Sequence, residues 1–236
     1  MTNLDDTISA MRAVLFDMDG TLVDSEKLWD VSMHQLYTRF GGVMSPQVRD
    51  STVGGSAEDV IRIVYADLGL PADPDHMAAT ADWLHDITGD LFEAGLPWCP
   101  GARDLLDTLA EAGMPMALVT NTRRGLTERA LDSIGRHYFV ASVCGDEVPR
   151  GKPAPDPYQR AAAMLGLEPA HCLAIEDSVT GARSAEDAGC PVLVVPNDVD
   201  VPTSARRHHV ASLADVDLPR LLAIYDALQL DSEPTV

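Results

Sequence analysis

One stretch limits this chain more than any other: residues 13–26, A-V-L-F-D-M-D-G-T-L-V-D-S-E. Four apolar residues, Ala13 to Phe16, run without polar alternation into Asp17, and Asp19 follows two positions on. An unbroken apolar run of this kind suits a strand covered on both faces, as in the parallel sheet of an α/β protein. Gly20 and Thr21 complete a tight turn. Carboxylates at the end of such a strand stand where open α/β sheets take their ligands, outside the carboxyl ends of the strands. Alone, a D-x-D-G segment is also what a solvated turn looks like. Its meaning therefore depends on what the other strand ends carry.

Helical spacing follows the first motif. Ser25 to Phe40 places Leu28, Val31, Leu36 and Phe40 on one face, and Gly41-Gly42 stops it. Residues 46–55 read as a turn-rich connection ending in Gly54-Gly55. Ser56 to Asp59 resembles a capping box that opens a helix through Leu68, and a third helix is expected over about 75–93. No strand is evident between Ser25 and Gly95. After the punctuation L-P-W-C-P-G at 96–101, the pattern alternates. Strands are expected at Met116 to Val119, near Phe139 to Val143, at Cys172 to Ile175 and at Val192 to Val195. Helices are expected over 102–112, 124–134, 158–165, from Ser178 to Asp187, and over 218–228. Such alternation implies right-handed crossovers and a parallel sheet with helices on both faces. The expected fold class is α/β: a Rossmann-like parallel-sheet core, residues 1–23 and 96–236, with an inserted helical cap domain at 24–95.

Charge and cysteine usage narrow the function classes. A formal net charge of −20 argues against nucleic acid or anionic membrane as a partner, since both require basic surface. No apolar stretch is long enough to span a bilayer. The first eleven residues are acidic rather than basic, which argues against a secretory signal. Cys99, Cys144, Cys172 and Cys190 form no C-x-x-C pair, so buried free thiols in a reducing cytoplasm are expected. Of 17 Lys plus Arg only Lys27 and Lys152 are lysines, which draws attention to Lys152 in its Gly- and Pro-rich loop.

Three strand ends thus deliver Asp17/Asp19, Thr120/Asn121 and Glu176/Asp177, and a loop delivers Lys152. In a parallel sheet these ends share one edge. Crowding carboxylates there is costly: a like-charge pair at ~4 Å and an effective dielectric of ~20 costs about 4 kcal/mol. A bound dication removes that cost, and an oxygen-only ligand set selects a hard ion such as Mg²⁺. Beside it, Asp17 is a credible nucleophile toward phosphorus and Asp19 a credible proton donor and acceptor. Thr120, Asn121 and Lys152 are the candidate phosphoryl-binding groups.

Together, D17-M-D-G-T-L-V-D-S-E, T120-N121, G151-K-P-A-P-D and I175-E-D-S resemble the haloacid dehalogenase superfamily over about residues 12–197. The helical insert behind the first motif resembles the cap of subclass I, the group of β-phosphoglucomutase-like and sugar-phosphate phosphatases. The resemblance implies a phosphoric monoester hydrolase with Asp17 as nucleophile and Asp19 as acid/base. It implies Mg²⁺ on Asp17, the Asp19 carbonyl and Asp177, with Glu176 a direct or water-mediated ligand. The expected substrate is a small phosphorylated metabolite, a sugar or polyol phosphate, handled by a monomer or weak dimer.

Rivals within the superfamily have their own requirements. The dehalogenases lack an aspartate at the position of Asp19, and the phosphonatases need a cap lysine, for which Lys27 is the one candidate. A β-phosphoglucomutase is the nearer alternative, and a phosphoglycolate phosphatase a more distant one. The mutases carry a His, a Lys and an Arg where this chain aligns Trp29, Val53 and Ala57, with Arg49 and Arg62 the nearest basic residues. Trp29, the 52–57 loop and Arg123/Arg124 are expected to shape the pocket. Trp83 and Trp98 read as packing residues, and His208-His209 beside Arg206-Arg207 as a solvated patch.

Overall fold

The structure is a computed structural model and describes residues 10–52, 57–197 and 200–230. Its centre is β1 (Ala13–Phe16), whose four residues are all buried. β2 (Met116–Val119) and β3 (Ala141–Val143) extend the sheet on one side. On the other side lie β4 (Cys172–Glu176), β5 (Val192–Val194) and β6 (Arg207–His209). All pairings are parallel, in the order β3-β2-β1-β4-β5-β6. The chain reverses its direction of growth between β1 and β4, where doubly wound sheets open a crevice at their carboxyl edge. Register sets which residues meet there: Phe16 lies opposite Leu118 and Ile175, and the Asp17 amide donates to the Ile175 carbonyl at 3.0 Å.

The period-2 geometry of the strands sorts their side chains into two layers. Val14, Phe16, Leu118 and Ile175 face one apolar cluster, packed by α5 (Ala102–Glu111), α6 (Arg124–Ile134) and α9 (Leu218–Leu230). Ala13, Leu15, Ala117 and Ala174 face the other, packed by α7 (Asp156–Met164) and α8 (Val179–Ala188). Both faces being covered is why β1 reads as a continuous apolar run. Truncating the buried Phe16 to Ala would cost about 3–5 kcal/mol.

Four helices separate β1 from α5: α1 (Glu26–Arg39), α2 (Pro46–Thr52), α3 (Ala57–Asp67) and α4 (Pro74–Ala94). They enclose a cluster of their own around Met33, Leu36, Tyr37, Ile61, Val64 and Leu84. The two chain segments joining insert to core run side by side. Asp24 donates its amide to the Pro97 carbonyl at 2.8 Å, and Cys99 donates to Leu22 at 2.9 Å. A further contact fixes one flank of the insert. Arg129 of α6 donates to the Asp86 carbonyl and to Asp90 of α4, at 3.3 and 3.1 Å. A Cβ at Gly89 would run into that guanidinium, so glycine admits the approach.

Two expectations about elements need correction. Residues 46–52 form α2 rather than turns. Its sequence, P-Q-V-R-D-S-T, holds one apolar residue, so no periodicity betrays it. Arg207–His209 is an edge strand beside β5 instead of a solvated patch, with Arg207 paired to Glu186 of α8. An edge strand needs no apolar run, and R-H-H offers none. Val53, Gly54, Gly55 and Ser56 lie outside the described residues. The four cysteines are free, with Cys144, Cys172 and Cys190 buried and Cys99 half-buried.

Candidate active site

Lys152 is the hub of the carboxyl edge. Its Nζ donates to Asp17 Oδ1 at 2.5 Å and to Glu176 Oε1 at 2.6 Å, and its side chain is only 4% exposed. Asp17 arrives from the end of β1, Glu176 from the last position of β4, and Lys152 from the loop before α7. A buried ammonium is costly unless paired, and here two carboxylates accept two of its three N–H donors. Glu176 is held further: Tyr158 donates to Oε1 at 2.6 Å and Ser178 to Oε2 at 3.1 Å. Ser178 also caps α8, accepting from the Gly181 amide at 3.0 Å. Gly181 has no Cβ because the Glu176 carboxylate lies where one would be.

Asp17, Glu176 and Asp177 each offer an oxygen within 4.8 Å of the others. Asp177 reaches this cluster past Gly20, whose φ of +85° favours glycine and whose Cβ would fall on Asp177 Oδ2. Burial pushes the Asp17 carboxyl up to about 7; Lys152 opposes this, and Glu176 and Asp19 add to it. Asp177 is pushed up to about 9, by burial first and then by Asp17 and Glu176. Burial alone would lower the Lys152 ammonium, yet Asp17 and Glu176 hold it above its ordinary range. One lysine therefore does not offset three crowded carboxylates. Oxygen donors, no His or Cys among them, and a surplus of negative charge fit a hard dication.

Asp19 points elsewhere. Its Oδ1 accepts from Ser25 at 2.5 Å, and its Oδ2 accepts from Thr122 at 2.8 Å and Thr120 at 3.2 Å. The carboxylate is thus aimed by three hydroxyls, one of them from the residue that opens α1. Thr120, 1% exposed, also accepts the Thr122 amide at 3.0 Å. Asn121 was expected to offer its amide to a phosphoryl group, but its side chain is committed to the Lys152 backbone. Oδ1 accepts from the Lys152 amide at 2.8 Å, and Nδ2 donates to the Lys152 carbonyl at 3.1 Å. Gly151 lets the two approach, since its Cβ would sit 2.7 Å from Asn121 Oδ1.

Not every expected lining residue is present. Arg124 turns away, donating to Glu147 at 2.8 Å, Glu128 at 2.9 Å and Ser142 at 2.8 Å. Trp29 packs at the junction of the sheet cluster and the insert cluster. Lys27 is exposed and pairs with Asp24. Four residues that hold the site escaped the sequence reading as site members: Ser25, Thr122, Tyr158 and Ser178. Ser25 lies within the first motif and Ser178 within I175-E-D-S, while Thr122 adjoins T120-N121, which is the one available signal. Tyr158 carries none, because its partner Glu176 is 18 positions away.

Fold and site define a doubly wound α/β protein with a carboxylate–lysine cluster at the sheet's switch point. Residues 11–189 match the haloacid dehalogenase-like hydrolases, and the chain belongs to that family. Hexitol phosphatase A of Escherichia coli K12 is 34% identical over 195 residues, which cover 81% of this chain and 86% of that protein. The bifunctional riboflavin kinase/FMN phosphatase of Arabidopsis thaliana is 30% identical over 213 residues, and this chain spans 54% of its length. Among solved structures, the β-phosphoglucomutase of Clostridium difficile superposes with a TM-score of 0.79 over 93% of this chain and 99% of that one. At 16% identity, this likeness concerns the fold. Among the described residues no helix is long and apolar enough to cross a membrane.

Proposed function

We propose that the protein is a Mg²⁺-dependent phosphatase that hydrolyses a sugar or polyol phosphate through a phosphoryl group carried on Asp17. The observation that carries this reading is the Lys152 ammonium held between Asp17 and Glu176, with Asp177 completing the carboxylate cluster. Asp17, the Asp19 carbonyl and Asp177 would hold the ion, with Glu176 behind them because both its oxygens already accept hydrogen bonds. When bound, Mg²⁺ offsets the carboxylates and polarises a phosphoryl oxygen.

The chain's own residues divide the work as follows. Among the described residues Asp17 Oδ2 accepts no hydrogen bond, while Lys152 fixes Oδ1. Oδ2 attacks phosphorus, the ester P–O bond breaks, and the leaving oxygen takes a proton from Asp19. Asp19 then takes a proton from water, the water oxygen attacks phosphorus, and the bond to Asp17 breaks to release inorganic phosphate. Lys152 balances charge on the phosphoryl oxygens, the Thr120 hydroxyl turns from Asp19 to donate to one of them, and Asn121 positions Lys152 through its backbone. Residues 24–95 serve as a cap that closes over this edge, hinged on the paired segments at 22–24 and 97–99.

Hydrolysis rather than phosphoryl return to a sugar is supported by the insert's charges. A mutase must grip a second phosphate with cationic side chains. Arg49 pairs with Asp30, Arg62 pairs with Asp59 at 2.8 Å, and Val53 and Ala57 carry no charge. The test is a panel of hexose, pentose and polyol phosphates and phosphoglycolate, followed by ³¹P NMR with Mg²⁺ or EDTA. The expected result is Mg²⁺-dependent phosphate release without a bisphosphate activator. Isomerisation outrunning release, or release that survives complete metal removal, contradicts the proposal.

A further inference from the structure

A second concavity, about 910 Å³ and open to solvent, is lined by residues of the insert alone. Its volume lies in the range of about 300–1,000 Å³ usual for small-molecule sites. One wall is apolar, formed by Val31, Met44 and Pro46, with Val31 43% exposed. Trp83 of α4 also lines it, and the guanidinium of Arg39 lies over its ring at 4.6 Å. Stacking uses the face of a guanidinium and leaves its in-plane N–H groups directed outward. Among the described residues Arg39 has no carboxylate partner. Arg49 stands at the near end in an ion pair with Asp30, the one acidic residue of the lining.

The charge balance of this groove runs against that of the chain. Acidic residues outnumber Lys plus Arg by 37 to 17 overall, yet the groove holds two arginines against a single aspartate. From this local reversal we infer that the groove binds a small organic anion, a carboxylate or phosphate attached to a flat apolar body. The anion lies on Arg39, which has no carboxylate partner among the described residues, and the body lies against Val31 and Met44. Two elements connect the groove to the catalytic edge. α1 supplies much of the lining and begins at Ser25, whose hydroxyl holds Asp19 at 2.5 Å. α2 carries Arg49 and is tied through it to Asp30 of α1. A ligand held by Arg39 therefore sits on the helix whose N-terminal residue, Ser25, holds Asp19.

The probe for this site is 8-anilinonaphthalene-1-sulfonate, an anion on a flat apolar body. Titrated into the intact protein, it should bind saturably at one site, shift the Trp83 indole N–H resonance, and leave the amides of Thr120, Lys152 and Asp177 unmoved. Arg39→Glu should weaken binding at least tenfold. Arg62→Glu, on the exposed face of α3, should change it less than twofold. If charge reversal in the last turn of α1 lowers the melting temperature, Arg39→Gln keeps the test intact, because it removes the charge alone. Unchanged affinity in a folded Arg39 variant, or shifts confined to the sheet edge, overturns the assignment.

Discussion

The carboxyl edge of the sheet and the groove in the insert both gather charged side chains, but by different rules. At the edge most groups stand at the ends of apolar strands: Asp17 after Phe16, Thr120 after Val119, and Glu176 and Asp177 after Ile175. The groups there are buried and committed to one another, with Lys152 at 4% side-chain exposure and Glu176 at 0%. In the groove the groups come from one face of α1 and from neighbours across it. Arg39 is exposed and meets a ring rather than a carboxylate. The edge is therefore a site of fixed geometry and concentrated charge, and the groove one of adaptable geometry. Substitutions at the edge should act on chemistry and stability together, whereas those in the insert should act on binding.

The largest expected effect is at Asp17. Asp17→Asn keeps shape and hydrogen bonding but removes the proposed nucleophile, so turnover of any phosphate ester should fall at least about 10³-fold with the fold intact. Near-normal turnover in that variant would break the distinction between edge and groove. Lys152→Met comes next, because it leaves two buried carboxylates without their cation. Breaking such a pair costs about 3–5 kcal/mol, visible as a lower denaturation midpoint in EDTA that Mg²⁺ restores in part. Asn121→Ala should be milder, on the order of 10-fold in kcat, since it displaces the Lys152 backbone without removing a reacting group. A loss in KM alone would return Asn121 to direct substrate contact.

The raised carboxyls give a pH dependence with a definite sign. Asp17 and Asp177 lie above the ordinary Asp range, near 7 and 9, so the folded metal-free protein holds protons that the unfolded chain has released. Their contribution is present below about pH 4 and is lost as pH rises through 7 and 9. Melting in EDTA should therefore fall between pH 5 and 9, and Asp177→Asn should flatten that slope. An unchanged slope in the variant would place the titrating groups elsewhere. The smallest effect is expected at Arg129→Ala, which frees the fixed flank of α4 from α6. It should change KM by a few-fold and leave metal dependence alone.

How far the sequence is legible follows from the same contrast. Strand-end chemistry is written in adjacency, so Asp17, Asp19, Thr120, Glu176 and Asp177 can be read from the apolar runs before them. The parallel sheet follows from the alternation of those runs with helices. What adjacency does not carry is partner choice. Nothing in T-N-T says that Asn121 holds a loop 31 positions away, or that Thr120 and Thr122 aim Asp19. Arg124 looks like a pocket residue until Glu147 and Glu128 are seen to claim it. Periodicity also fails where burial is slight, as in α2 and β6, which hold almost no apolar side chains. The groove is illegible for a related reason: Arg39 and Trp83 are 44 positions apart and belong to different helices.

The central claim is that phosphorus becomes bonded to Asp17. Rapid acid quench of the enzyme during turnover of a sugar phosphate, followed by peptide mass spectrometry, tests it directly. The expected product is a phosphoryl group on the peptide containing Asp17, labile to hydroxylamine and absent from Asp17→Asn and from enzyme kept in EDTA. Turnover with no phosphorylated peptide at any quench time, together with ¹⁸O from water entering the released phosphate in a folded Asp17→Asn protein, would mean that water attacks the substrate directly and that the carboxyl edge is not a nucleophilic site.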